Sequence, residues 1–132
     1  MQFTGLENVQ QIDQYILKKE ISRGGMGVVY LAEDTQLHRP TALKVILKQS
    51  EYSRTIGIKR FRREMEVMGK LHHPYVIQIY TAGVFQNNPY IAMEYVDGVP
   101  LLEYTQQLPE NDFISIATLI QKILQAFSYI HS

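Results

Sequence analysis

No cysteine occurs in the 132 residues, which excludes disulfides and thiolate metal sites and accords with a reducing compartment. A cytoplasmic location is therefore expected. Charge of one sign is not in excess either. Thirteen Lys and Arg balance 13 Asp and Glu, for a formal net charge of +0. This balance removes the electrostatic reason to expect nucleic acid or an anionic membrane surface as a partner. The basic pairs Lys59-Arg60 and Arg62-Arg63 stand beside Glu64 and Glu66 in a helical pattern, as on a solvated face. The start, Met1-Gln2-Phe3-Thr4-Gly5, has neither the basic nor the apolar part of a signal peptide. No run approaches the ~20 apolar residues of a membrane span. A soluble chain without such a span is expected. Its hydrophobic share of 45% suffices for one modest core.

Residues 1–14 are polar and irregular and read as a loosely packed leader. Tyr15 to Ile21 has a strand pattern, and Gly24-Gly25-Met26-Gly27 follows. The β-branched and aromatic run Val28 to Ala32 predicts a second strand. Thr41 to Leu47 predicts a third, with Ala42, Lys44 and Ile46 on one face and Leu43, Val45 and Leu47 on the other. Residues 56–71 carry helical period, with Ile58, Phe61, Met65, Met68 and Leu71 on one stripe. Glu64 falls within that stripe, where an acid is costly unless something pairs with it. Val76 to Tyr80 and Tyr90 to Tyr95 predict two further strands around a turn containing Asn87-Asn88-Pro89. A short helix is expected over Leu101 to Gln107. A long amphipathic one is expected from Asp112 to Ile130, capped by Asn111.

Glycine clusters let backbone amides approach phosphates because no Cβ intervenes. The cluster alone serves a plain turn equally well, so its context decides. A P-loop requires Lys-Ser or Lys-Thr after the last glycine, whereas Gly27 is followed by Val28-Val29. A dinucleotide fold requires the glycines to open a helix. Strand patterns on both sides instead make a hairpin tip, the kind of lid that covers phosphates in protein kinases.

Ile21-Ser22-Arg23-Gly24-Gly25-Met26-Gly27-Val28-Val29-Tyr30 resembles the glycine-rich loop of bacterial Hanks-type serine/threonine protein kinases. Seventeen residues after Gly27, Lys44 in Thr41-Ala42-Leu43-Lys44 is similar to the family's Val-Ala-Ile-Lys strand. Twenty further, Glu64 in Phe61-Arg62-Arg63-Glu64 matches the helix glutamate, ten residues before Pro74. Met93-Glu94-Tyr95-Val96 resembles the hinge, with Met93 as gatekeeper. The likeness implies an α+β fold: a five-stranded antiparallel sheet and helix in a small lobe and hinge over 15–96, then the start of a large lobe over 97–132. It implies ATP as ligand, with Ser22, Gly24, Gly25 and Gly27 over the phosphates. Lys44 would hold the α- and β-phosphates, and Glu64 would orient Lys44. Val29 and Ala42 would enclose the adenine, and the Glu94 and Val96 backbone would meet its edge. From the residues alone, Val29 and Ala42 serve core packing as well, and Glu64 could be a partly exposed acid. The four histidines are read as structural, and no metal site is expected.

Three features depart from the family. Pro100 stands where many relatives place a polar residue that meets the ribose, a role for which Asp97 is the substitute at hand. Ser22 replaces the loop's first glycine, and the sequence reaches Ser132 before any His-Arg-Asp or Asp-Phe-Gly motif. The catalytic base, the Mg ligands and the protein-substrate platform are therefore expected outside these residues, leaving the chain alone inactive in transfer. The alternative is a naturally short, kinase-like module that binds nucleotide or protein without catalysis. About eight apolar side chains on the last helix would lack cover, which predicts self-association.

Overall fold

A computed structural model describes residues 6, 8–24, 27–47 and 51–131, without the side chains of 51–56. The chain divides into two compact units, residues 1–70 with 78–95 and residues 71–77 with 96–132.

The first unit is built on an antiparallel sheet of β1 (Gln11–Ile12), β2 (Tyr15–Arg23), β3 (Gly27–Asp34), β4 (Arg39–Ile46), β5 (Ile79–Phe85) and β6 (Asn88–Glu94). Helix α1 (Glu51–Met68) lies between β4 and β5 in sequence and packs on β5. The strand order is β1-β2-β3-β4-β6-β5, so the sheet has six strands rather than the expected five. The sixth comes from the segment read as a loose leader. Leu6 is buried, Ile12 is 0% exposed, and β1 pairs with β2 through Gln11–Ile16 and Ile12–Tyr15. The Tyr90 hydroxyl donates to Asp13 Oδ2 and ties this segment to β6.

Alternation decides the two sheet faces. In β3, Val28, Tyr30, Ala32 and Asp34 are buried, while Gly27, Val29, Leu31 and Glu33 are half-buried. The register carries this pattern across the sheet. Val28 stands opposite Val45 and Tyr30 opposite Leu43, which in turn face Tyr90 and Ala92. With Ile12, Tyr15 and Leu47 these residues form the core. Asp34, 2% exposed, ends β3 in an Asx turn, accepting from the Gln36 amide at 2.9 Å and the Leu37 amide at 3.2 Å. The β5–β6 loop is Gln86-Asn87, at φ 48° and 64°. Two left-handed residues match the hairpin's twist. Asn88 and Pro89, expected in the turn, belong to the strand.

The second unit holds α2 (Leu101–Gln107) and α3 (Phe113–Ile130). The cap of α3 is Asp112, not Asn111: its Oδ1 accepts from the Ser115 amide at 3.1 Å and its Oδ2 from the Ser115 hydroxyl at 2.8 Å. The Tyr129 hydroxyl accepts from the His72 amide at 2.8 Å. Contrary to the sequence expectation, α3 is long and apolar enough, by length and composition only, to cross a membrane.

Candidate functional site

The sheet face away from the core assembles most of the residues singled out in the sequence. Register sets Val29 opposite Lys44 and Lys44 opposite Ile91, so their side chains share this face. One step along, Leu31, Ala42 and Met93 form a parallel row. Lys44 is exposed between two buried neighbours, Leu43 and Val45. Among the described residues it has no ion-pair partner. A strand residue facing the core could not carry a bare ammonium without a large desolvation cost. This position keeps the charge in water above an apolar strip.

At the end of that strip, β2 and β3 meet in a hairpin tip closed by the Gly24 amide donating to the Gly27 carbonyl at 2.9 Å. Ser22 stands opposite Val29 on the Lys44 face. The two described glycines of this tip differ in what they do. A Cβ at Gly27 would run into the Val45 carbonyl, so β4 requires glycine there. A Cβ at Gly24 would meet nothing within 4 Å, so packing within the protein places no such demand. Gly25 and Met26 lie outside the described residues.

On β2, Glu20 and Arg23 form a two-point ion pair, Nε to Oε1 at 2.7 Å and Nη2 to Oε2 at 3.3 Å. The hydrogen bond from Arg23 holds the Glu20 carboxyl below its ordinary range. Burial pushes the Tyr30 hydroxyl up, offset in part by Arg23 beside it. Farther along the sheet, burial and Asp34 raise the Tyr15 hydroxyl to about 12. Burial and Asp13 push Tyr90 up as well.

Glu64 departs from expectation. Its carboxylate is exposed and pairs with Arg60, Nε to Oε1 at 3.0 Å, and among the described residues no Lys44–Glu64 ion pair forms. The physical reason is proximity: residues four apart on a helix are neighbours without any movement of helix against sheet. That spacing was readable in Arg60 and Glu64 themselves. Ile58, Phe61 and Met65 of the expected stripe are half-buried, but Met68 is exposed.

At the end of β6, the Glu94 amide donates to the Gln78 carbonyl at 2.8 Å, and its Oε2 accepts from the Gln78 amide at 3.2 Å. The Glu94 N–H is thus committed to the protein. Val96 belongs to the second unit and is exposed. Among the described residues no three His, Cys, Asp or Glu side chains converge as a metal site.

A family model described as "Protein kinase domain" matches residues 15–132. The chain is 42% identical over 124 residues to the probable serine/threonine-protein kinase PknB of Lactococcus lactis, covering 91% of this chain and 19% of that protein. It is 36% identical over 118 residues to the serine/threonine-protein kinase PrkC of Bacillus subtilis, covering 89% and 18%. Among solved structures, the PknI kinase domain of Mycobacterium tuberculosis superposes with a TM-score of 0.73 at 26% identity, covering 92% of this chain and 49% of that one. The chain thus spans under a fifth of these curated relatives and about half of that kinase domain.

Proposed function

The chain belongs to the protein kinase family, as the N-terminal portion of a bacterial Hanks-type serine/threonine kinase, and from that premise we propose that its first compact unit binds ATP. The observation that carries this reading is Lys44, a cation without an ion-pair partner among the described residues, held on an apolar strip of Val29, Leu31, Ala42 and Met93 beside the glycine hairpin. The strip suits the adenine ring. Lys44 suits the α- and β-phosphates as a point charge. Gly24, open on its Cβ side, suits the close approach of a phosphate to the backbone. At the hinge, the Glu94 N–H is engaged by the Gln78 carbonyl, so contact of Glu94 with the adenine edge falls to its carbonyl. The described residues do not fit a magnesium site, since no three acidic or histidine side chains gather among them.

Transfer of the ATP γ-phosphate to protein serine or threonine is the reaction we assign to the whole protein, with base and metal ligands supplied outside these 132 residues. A kinase-like module that binds nucleotide without transfer is the second reading. It draws on Glu64, whose carboxylate is engaged by Arg60.

The test is an Mg–ATP titration by calorimetry on the parent protein and on Lys44→Ala. Loss of about tenfold in affinity is expected, the scale of a charge-assisted contact to phosphate. Equal affinities would overturn the role of Lys44. A second assignment concerns α3, where Phe113 (70%), Leu124 (62%) and Phe127 (57%) are exposed. A bare apolar face of this kind supports self-association of the 132-residue chain. Light scattering that reports a monomer throughout a concentration series would overturn this.

A further inference from the structure

Strand β2 contains a contact that its spacing forbids in a regular strand. Side chains three residues apart on a strand point to opposite faces, yet Glu20 and Arg23 meet at 2.7 Å and 3.3 Å. The register explains how. Glu20 stands opposite Tyr30, Ser22 opposite Val29 and Arg23 opposite Val28, so Ile21 is an extra residue on β2. This bulge turns Arg23 back onto the face of Glu20 and Tyr30. It also turns Ser22 onto the face of Val29 and Lys44, and the chain then runs through Gly24 into the hairpin tip.

We infer that the Glu20–Arg23 pair is a clip that pins the bulge at Ile21 and thereby positions Ser22 and Gly24 over the nucleotide phosphates. The inference rests on the nucleotide reading above. A bulge is free to migrate unless something fixes it, and a slip of one residue exchanges the faces of the side chains it passes. Here a slip would set apolar Ile21 opposite Val29 in the place of Ser22. A two-point Arg–carboxylate contact has a fixed planar geometry that does not survive such a shift. Both partners are exposed, 42% and 41%, so the pair adds little to global stability. Its effect falls on the register of the last three residues of β2.

Three variants test this: Glu20→Gln, Arg23→Gln, and an exchange variant carrying Glu20→Arg with Arg23→Glu. Amide hydrogen exchange at Ser22 and Val28 without nucleotide reads the clip itself. Mg–ATP affinity reads its use, and a thermal midpoint controls for global stability. Each single variant is expected to speed exchange at both amides and to weaken Mg–ATP roughly three- to fivefold, the scale of one ion pair. The thermal midpoint should hold, and the exchange variant should recover both readouts. Weakening by Arg23→Gln but not by Glu20→Gln would overturn the clip, because Arg23 would then act on phosphate directly. Unaltered amide exchange in the single variants would overturn it too, as would an exchange variant no better than either. If the parent protein fails to bind Mg–ATP, the nucleotide reading falls, while amide exchange still decides whether the pair pins the bulge.

Discussion

Glu64 Oε1 lies 3.0 Å from Arg60 Nε, one turn away on α1, and both side chains face solvent. This is the acid whose position in the sequence suggested a partner on the sheet. An exposed helical pair of this spacing stabilises by only about 0.3–0.5 kcal/mol, so it is easily exchanged for a better partner. Arg60→Ala removes the competitor and should change stability by less than about 0.5 kcal/mol. If Glu64 turns to Lys44 when nucleotide binds, the same variant should bind Mg–ATP about twofold more tightly. Calorimetry on parent and variant checks this, and weaker binding would count against Arg60 as the competitor.

The two described loop glycines should respond in opposite ways to alanine. Gly27→Ala drives a Cβ into the Val45 carbonyl and should cost about 1–3 kcal/mol, as overpacking does. Gly24→Ala meets open space, so its stability should stay within about 0.5 kcal/mol of the parent while its Mg–ATP affinity falls. Urea denaturation beside nucleotide titration separates the two effects. A stable Gly27→Ala would contradict the packing of β3 against β4.

Ile12→Ala should destabilise by about 2–4 kcal/mol, because the side chain is 0% exposed within the core and would leave a cavity. Leu37→Ala, at a position 63% exposed, is the control and should cost less than about 0.5 kcal/mol. Equal denaturation midpoints for the two variants would return residues 8–14 to the status of a loose leader.

Alkaline pH should unfold the protein in a defined window. The Tyr15 hydroxyl, near 10 when unfolded, is raised to about 12 by burial and by Asp34. Between these values the folded state holds a proton that the unfolded state has lost, so stability is complete below about pH 10 and declines from there towards pH 12. The single group accounts for up to about 2 kcal/mol, and Tyr90 is shifted in the same direction. Denaturation midpoints measured from pH 8 to 12 check this, and Tyr15→Phe should flatten the decline. A flat profile in the parent protein would contradict the burial of Tyr15.

Much of this arrangement was legible in the sequence, wherever a period ran long enough to repeat. Strand β3 followed from the β-branched and aromatic run Val28 to Ala32, and the split of β4 into Ala42, Lys44 and Ile46 against Leu43 and Val45 followed from period two; the observed burial agrees with that split except at Ala42, which is buried on the Lys44 face. The bounds of α2 agree as well. Strand β1 was not legible, because two residues cannot show a period and Ile12 is buried only through partners distant in sequence. The Arg60–Glu64 pair was present as a spacing of four, but the place of Glu64 within an apolar stripe argued instead for a partner on another element. The Glu20–Arg23 contact was hidden for a stronger reason: its spacing on a strand argues for opposite faces, and only the register reveals the extra residue between them.

Strand β2 uses nine residues, Tyr15 to Arg23, to run beside the seven from Val28 to Asp34, the surplus lying at Lys18 and Ile21. Two neighbouring tracks of unequal contour length cannot lie flat, so the longer one must take the outside of an arch. Deleting both Lys18 and Ile21 would equalise the tracks and straighten the arm that carries the glycine tip. The curvature of that arm is therefore set by chain length, counted in whole residues, as much as by which side chains those residues bear.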